Sequence, residues 1–218
     1  MKDNRSLEQV WRADSADSFV EVMLTGLVYD KVLLNFCRYD ASKEKNQRMI
    51  GSVGVFMDIY EAQRLARYIL SGRICALGTA AKKKAAETGS KYAPNVFSVS
   101  GGTSASRRSD GKAVARTFSI APGSKYPWIL CAMQGEGEEV GSGLIKMKGK
   151  ADVIVRVPLS NEKLKELALA IETVERIWEQ SRFMSVVQDM MDEALARRKS
   201  VIDKAMAETA ADNIAQTL

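Results

Sequence analysis

The chain has 218 residues, a mass of 24.0 kDa and an apolar fraction of 46%, enough for a sizeable core and too apolar for wholesale disorder. Its formal charge of +5 and pI near 9.1 point to an anionic partner, nucleic acid first, although the excess is small and spread over a mixed-charge sequence. With no histidine and with Cys37, Cys75 and Cys131 far apart, the chain lacks the commonest general base and any metal-type ligand pair. No cofactor and no metal are expected.

Residues 1–18 are polar around a small apolar cluster, Leu7, Val10 and Trp11, and read as an N-terminal arm or a short docking helix. A signal peptide needs an apolar core there, and no run approaches the roughly 18–20 apolar residues that cross a bilayer. A cytoplasmic, reduced protein without a membrane partner is expected. Residues 19–28 and 31–39 are β-rich and flank Tyr29-Asp30, the pattern of a hairpin with a short turn. After a polar loop at 40–48, residues 49–58 supply the next strand. Asp58 and Glu61 have capping-box spacing ahead of a helix over 60–70 whose Ala62, Leu65, Ala66 and Ile69 share one face.

Residues 74–92 are ambiguous, since alanine and lysine favour helix while Gly78 and Gly89 interrupt it. Lys82-Lys83-Lys84 there reads as a solvated face, with nucleic-acid contact as the alternative. Residues 95–100 form a strand, and 101–112, rich in glycine, serine and arginine, a mobile loop. Strands at 113–120 and 126–133 are joined by Ala121-Pro122-Gly123-Ser124, a turn signal. Residues 134–143 form an acidic, glycine-rich loop, 144–147 a short strand, and 151–157 a strand closed by Pro158. A helix from Ser160 to about Gln180 follows, with Ser160 placed to cap it and Leu164, Leu167, Ile171, Val174 and Trp178 along one side. Residues 183–209 give a second helical stretch, and 210–218 fray.

Sites for chemistry are hard to assemble from this inventory. Glu136, Glu138 and Glu139 are hard oxygen donors without calcium-loop spacing. Ser98, Ser100, Ser104 and Ser106 have no histidine to activate them, and the cysteines lie in apolar surroundings. A binding protein is expected, not an enzyme.

Basic and aromatic residues interleave on the strand-rich segments, the composition that tracks a phosphate backbone and stacks bases. Phe36 and Phe118 read as core, whereas Tyr39, Tyr126 and Trp128, beside polar loops, fit packing and stacking equally. The first candidate is the loop Arg107-Arg108-Ser109-Asp110-Gly111-Lys112, whose flexible cations are not forced into a core. Arg116, Lys125, Lys146 and Lys148 complete the set. Arg116 carries a geometric warning, because it shares a strand face with Phe118 and Ile120, so a core-facing Phe118 pulls it inward.

Strands closed by a helix occur twice, over 19–72 and 95–182, joined by a linker and followed by a C-terminal helical extension at 183–218. This order resembles the Whirly family of single-stranded DNA-binding proteins and the related transcription-coactivator fold. The resemblance is topological, and no family residue is carried onto a position here. It implies an α+β fold of curved antiparallel sheets with a helix after each strand group, single-stranded DNA or RNA as partner, and homo-oligomers. The function expected is sequence-nonspecific single-stranded DNA binding, in phage or plasmid DNA replication or recombination. The alternative is a structural or adaptor protein that assembles through its sheet and C-terminal helices without nucleic acid.

Overall fold

The computed structural model of the chain describes residues 8–215 except 142, with side chains described for all of these but 45 and 203–215. Four antiparallel strands open the fold and lie side by side in chain order: β1 (Gln9–Asp14), β2 (Ser18–Met23), β3 (Lys31–Tyr39) and β4 (Met49–Asp58). Period-two alternation puts Val20, Val22, Val32, Leu34, Phe36, Val53, Val55 and Met57 on one buried face. The first helix, α1 (Ile59–Leu70), follows β4 without a loop and buries Ala62, Leu65, Ala66 and Ile69, the face expected from their spacing. Gly72, at φ 75°, takes the left-handed conformation that ends it, and α2 (Arg73–Glu87) begins at the next residue.

The second sheet is built from β5 (Phe97–Thr103), β6 (Val114–Pro122), β7 (Trp128–Val140), β8 (Leu144–Met147) and β9 (Val153–Leu159). Residues 128–134 of β7 lie between β6 and β9, whereas its last four residues pair with β8. The β7–β8 hairpin can fold over β6 because Gly137 has no side chain: a Cβ there would meet Ile145 Cγ2 at 2.6 Å and the Ala115 nitrogen at 2.9 Å. Beneath it Ala113, Ala115 and Ile145 form a small apolar cluster with Ala105 and Met147. The two sheets meet through Phe36 and Phe118, whose ring centroids are 5.6 Å apart, and Ser18 Oγ donates to the Arg156 carbonyl at 2.7 Å.

The final helix, α3 (Asn161–Ala215), starts on the expected cap, Ser160 Oγ accepting the Lys163 N–H at 3.2 Å. Up to Glu175 it belongs to the same compact unit as the sheets and buries Leu164, Leu167, Ile171 and Val174. Trp11 Nε1 donates to Glu166 Oε2 at 3.0 Å and ties β1 to this helix. From Arg176 onward the described residues form a second unit, and its large apolar side chains from Phe183 to Ile202 are exposed. The fold is α+β: curved antiparallel sheets, each followed by helix, with a C-terminal helical extension.

Several expectations need correction. Val10 and Trp11 lie in β1, because the segment gains a backbone ladder against β2; Leu7 lies outside the described residues. Residues 24–29 form a 3-10 turn instead of continuing the strand, with Asp30 at φ 53° and Gly26 so close to β3 that a Cβ would meet the Lys31 carbonyl at 2.5 Å. Asp58 makes no side-chain cap; it pairs with Lys31 opposite it across β3 and β4. The loop expected at 101–112 begins as strand through Thr103 and contains a 3-10 turn, Ala105–Arg107. The acidic stretch expected as a loop continues β7 to Val140, because β8 pairs with it. The stretches at 160–180 and 183–209 are one uninterrupted helix.

Candidate nucleic-acid interface

Apart from Tyr39, which ends β3 of the first sheet, the candidate residues fall into two groups at opposite ends of the second sheet. One end gathers Arg107, Arg108, Lys112, Arg116, Lys146 and Lys148, because the 104–113 loop contacts the β7–β8 hairpin: Glu139 Oε1 accepts the Ala105 N–H at 2.9 Å. Carboxylates are interleaved with these cations. Arg108 donates to Asp110 at 2.9 and 2.5 Å, and this pairing, with the Lys112 N–H, holds the Asp110 carboxyl down to about 2. Lys148 lies 3.4 Å from Glu136, and Lys146 stands opposite Glu138 in the ladder. Arg107 and Lys112 are exposed, and no carboxylate pairs with either side chain among the described residues.

Arg116 follows the strand geometry. It is half-buried, its Nε donating to Gln134 Oε1 at 2.8 Å and its Nη1 to Thr103 Oγ1 at 3.1 Å, while Phe118 and Ile120 farther along the same face are fully buried. Burial first, and then repulsion from Arg108, lower its pKa from the ordinary arginine value. Its Nε and one Nη1 hydrogen are committed to the sheet.

The opposite end carries Lys125, Tyr126 and Trp128. The Val96 N–H donates to the Ile120 carbonyl at 2.8 Å, so the segment leading from α2 into β5 arrives beside the end of β6 and the turn that follows it. In the segment before β5 Lys91 Nζ lies 5.4 Å from the Tyr92 ring centroid, and in the turn after β6 Lys125 Nζ lies 5.8 Å from that of Tyr126, with Tyr92 74% and Tyr126 43% exposed. Residues 73–96 hold five basic side chains, Arg73, Lys82, Lys83, Lys84 and Lys91, against one acid, Glu87. Lys83 reaches Glu87 only at 3.9 Å, an exposed pair of little energetic consequence.

Trp128 supports this end from within and offers no stacking face. It is 4% exposed, its Nε1 donates to Asn161 Oδ1 at 2.8 Å, and a Cβ at Gly78 of α2 would meet its Cη2 at 2.7 Å. Tyr39 is also engaged, its hydroxyl donating to the Ser15 carbonyl at 2.9 Å and its ring 6.1 Å from Phe19. Tyr92 and Lys91 escape a reading of the sequence because a lone Lys-Tyr pair is unremarkable there; the one-sided charge of 73–96 is the legible signal. A separate cleft of about 320 Å³ between the sheets is lined by Asp17, Ser18, Arg38, Ile154 and Arg156.

Among the described residues no three metal-ligating side chains cluster, and no helix is long and apolar enough to cross a membrane. No protein-family model and no curated protein matches the chain. Among solved structures it is similar to two Whirly proteins of Arabidopsis thaliana. WHY1 matches at 10% identity and a TM-score of 0.45, over 84% of this chain and 93% of that one. WHY3 matches at 9% identity and a TM-score of 0.45, over 85% and 97%.

Proposed function

We propose that the chain is a cytoplasmic, non-enzymatic protein that binds single-stranded DNA without sequence preference and works as a homo-oligomer. The observation that carries this reading is two exposed tyrosines, Tyr92 in the segment that leads into β5 and Tyr126 in the turn after β6, each with a lysine over its ring. An unpaired strand needs such a surface: cations for the phosphates and flat rings for the bases, which accept any base because every base has a π-face. Duplex DNA stacks its own bases and gains nothing from the tyrosines. Arg107 and Lys112 supply further phosphate contacts at the other end of the sheet. Binding of this kind suits the coating of unpaired strands in replication or recombination, of a phage or plasmid genome included.

The test is anisotropy of a labelled oligothymidine at two salt concentrations, with RNA and duplex as competitors. Tyr92→Ala with Tyr126→Ala should weaken binding by a total of about 1–3 kcal/mol for each base that loses its ring. Lys91→Glu with Lys125→Glu should flatten the salt dependence by roughly one unit of slope for each phosphate no longer neutralised. Replacing Arg107, Arg108 and Lys112 together should cost less, since Arg108 is already paired to Asp110. A wild-type protein without salt-sensitive affinity for the oligonucleotide sinks the reading and leaves assembly with protein partners as the function.

A further inference from the structure

The second unit of the chain presents an apolar surface that its own helix cannot bury. From Phe183 to Ile202 the large apolar side chains of α3 are 46–73% exposed, and Met184, Val187, Met191, Ala194, Arg198 and Val201 recur at alternating three- and four-residue steps. That is the 3.5-residue period of a seam between two supercoiled helices, and continuous exposed apolar surface of this kind marks an interaction site. Charge is arranged in blocks along the same stretch. Asp189, Asp192 and Glu193 come first, Arg197, Arg198 and Lys199 follow, and no other charged residue lies between 183 and 202.

We propose that this segment pairs antiparallel with the same segment of a second copy, centred on Ala196. A closed two-fold pair is either parallel in register or antiparallel. The parallel arrangement sets acid on acid and base on base throughout. Antiparallel pairing keeps the seam positions facing one another only when the centre moves in steps of 3.5 residues, and charge chooses among those centres. A centre one step earlier in the chain, between Asp192 and Glu193, brings the two acidic blocks together, and a centre between Lys199 and Ser200 brings the basic blocks together. Only the centre on Ala196 puts Glu193 opposite Lys199 of the second copy, Met191 opposite Val201 and Ala194 opposite Arg198, with a single like-charged match, Asp189 opposite Asp203, away from the centre. The small Ala194 leaves room for the Arg198 stem to run along the seam while its guanidinium reaches the acidic block. Within one helix Arg197 reaches Glu193 at 3.3 Å in an exposed pair worth little, so the blocks remain available to a partner.

The pairing is independent of nucleic-acid binding and is tested on the full chain without oligonucleotide. Met191→Cys and Val201→Cys are made separately in a Cys75→Ser background, which removes the exposed native thiol. The two proteins are mixed and oxidised. An antiparallel pair centred on Ala196 yields the mixed 191–201 disulfide and little of either symmetric one. Predominantly symmetric disulfides mean a parallel pair, and no inter-chain disulfide means that this face meets another partner or its own domain; either result overturns the proposal. As a second measurement, reversing the acidic block to lysine or the basic block to glutamate should each abolish the pairing, and mixing the two reversed proteins should restore it. Unchanged association of either reversed protein alone counts against the charge assignment.

Discussion

Arg116 shows how a single side chain is assigned by its strand position more firmly than by its charge. Its hydrogen bonds to Gln134 and Thr103 and its half-burial turn the guanidinium toward the sheet. Arg116→Ala should therefore lower thermal stability, by about 1–2 kcal/mol for the missing charge-assisted bonds at a half-buried site, and leave oligonucleotide affinity unchanged. Cys37 is a second case in which surroundings decide chemistry. Burial first, then the Glu21 charge, push its thiol up to about 11, and it is 2% exposed, whereas Cys75 is exposed. At pH 8 an alkylating reagent should modify Cys75 and spare Cys37 until the protein unfolds, as peptide mapping by mass spectrometry would show.

At the scale of elements, α2 is fixed by what its glycine lets in. Alanine at Gly78 would gain about 1 kcal/mol in helix propensity and lose more by overpacking against the Trp128 ring, which its bond to Asn161 holds in place. Gly78→Ala should thus lower the midpoint of thermal unfolding and change the near-ultraviolet signal of the tryptophan. The contact between β1 and α3 has a pH signature. Hydrogen bonds from Lys163 first and Trp11 second hold the Glu166 carboxyl below its ordinary range. A carboxylate depressed in the folded state contributes in full above its unfolded pKa and loses that contribution as pH falls through the folded one. The tie should loosen as pH drops below roughly 4, the ordinary glutamate value. Trp11 fluorescence should report the change, and Trp11→Phe should abolish the transition.

Helices and β-rich runs are legible in the sequence wherever period and punctuation agree, as for Ala62, Leu65 and Ile69 in α1 or for Ser160 and Leu164 in α3. Illegible features depend on pairing across distance. The acidic stretch at 134–140 has no apolar alternation to declare itself a strand and becomes one only because β8 returns beside it. Local spacing makes Asp58 a cap, yet it is claimed by Lys31, which lies 27 residues away in sequence. Of the candidate site, the exposed pair Lys125 and Tyr126 is legible, while the burial of Trp128 depends on Gly78 and Asn161, residues remote from it in sequence.

In the molecule as a whole, the two sheets are joined at a small aromatic centre. Phe118 sits between Phe36, at 5.6 Å, and Phe97, at 6.2 Å, and is fully buried. Phe118→Ala should cost about 3–5 kcal/mol, and urea titration should show a lower midpoint with the slope unchanged. The strand beside the one that carries Phe118 also sets a clock. Residues 128–134 of β7 have a hydrogen-bonded strand on each side, β6 and β9, as β2, β3 and β6 also do, while β1, β4, β5, β8 and β9 each pair on one side only. Amides flanked in this way open only when the whole domain does. Placed in heavy water, the domain should take up deuterium from its rims inward, with the middles of β2, β3, β6 and β7 the last to exchange.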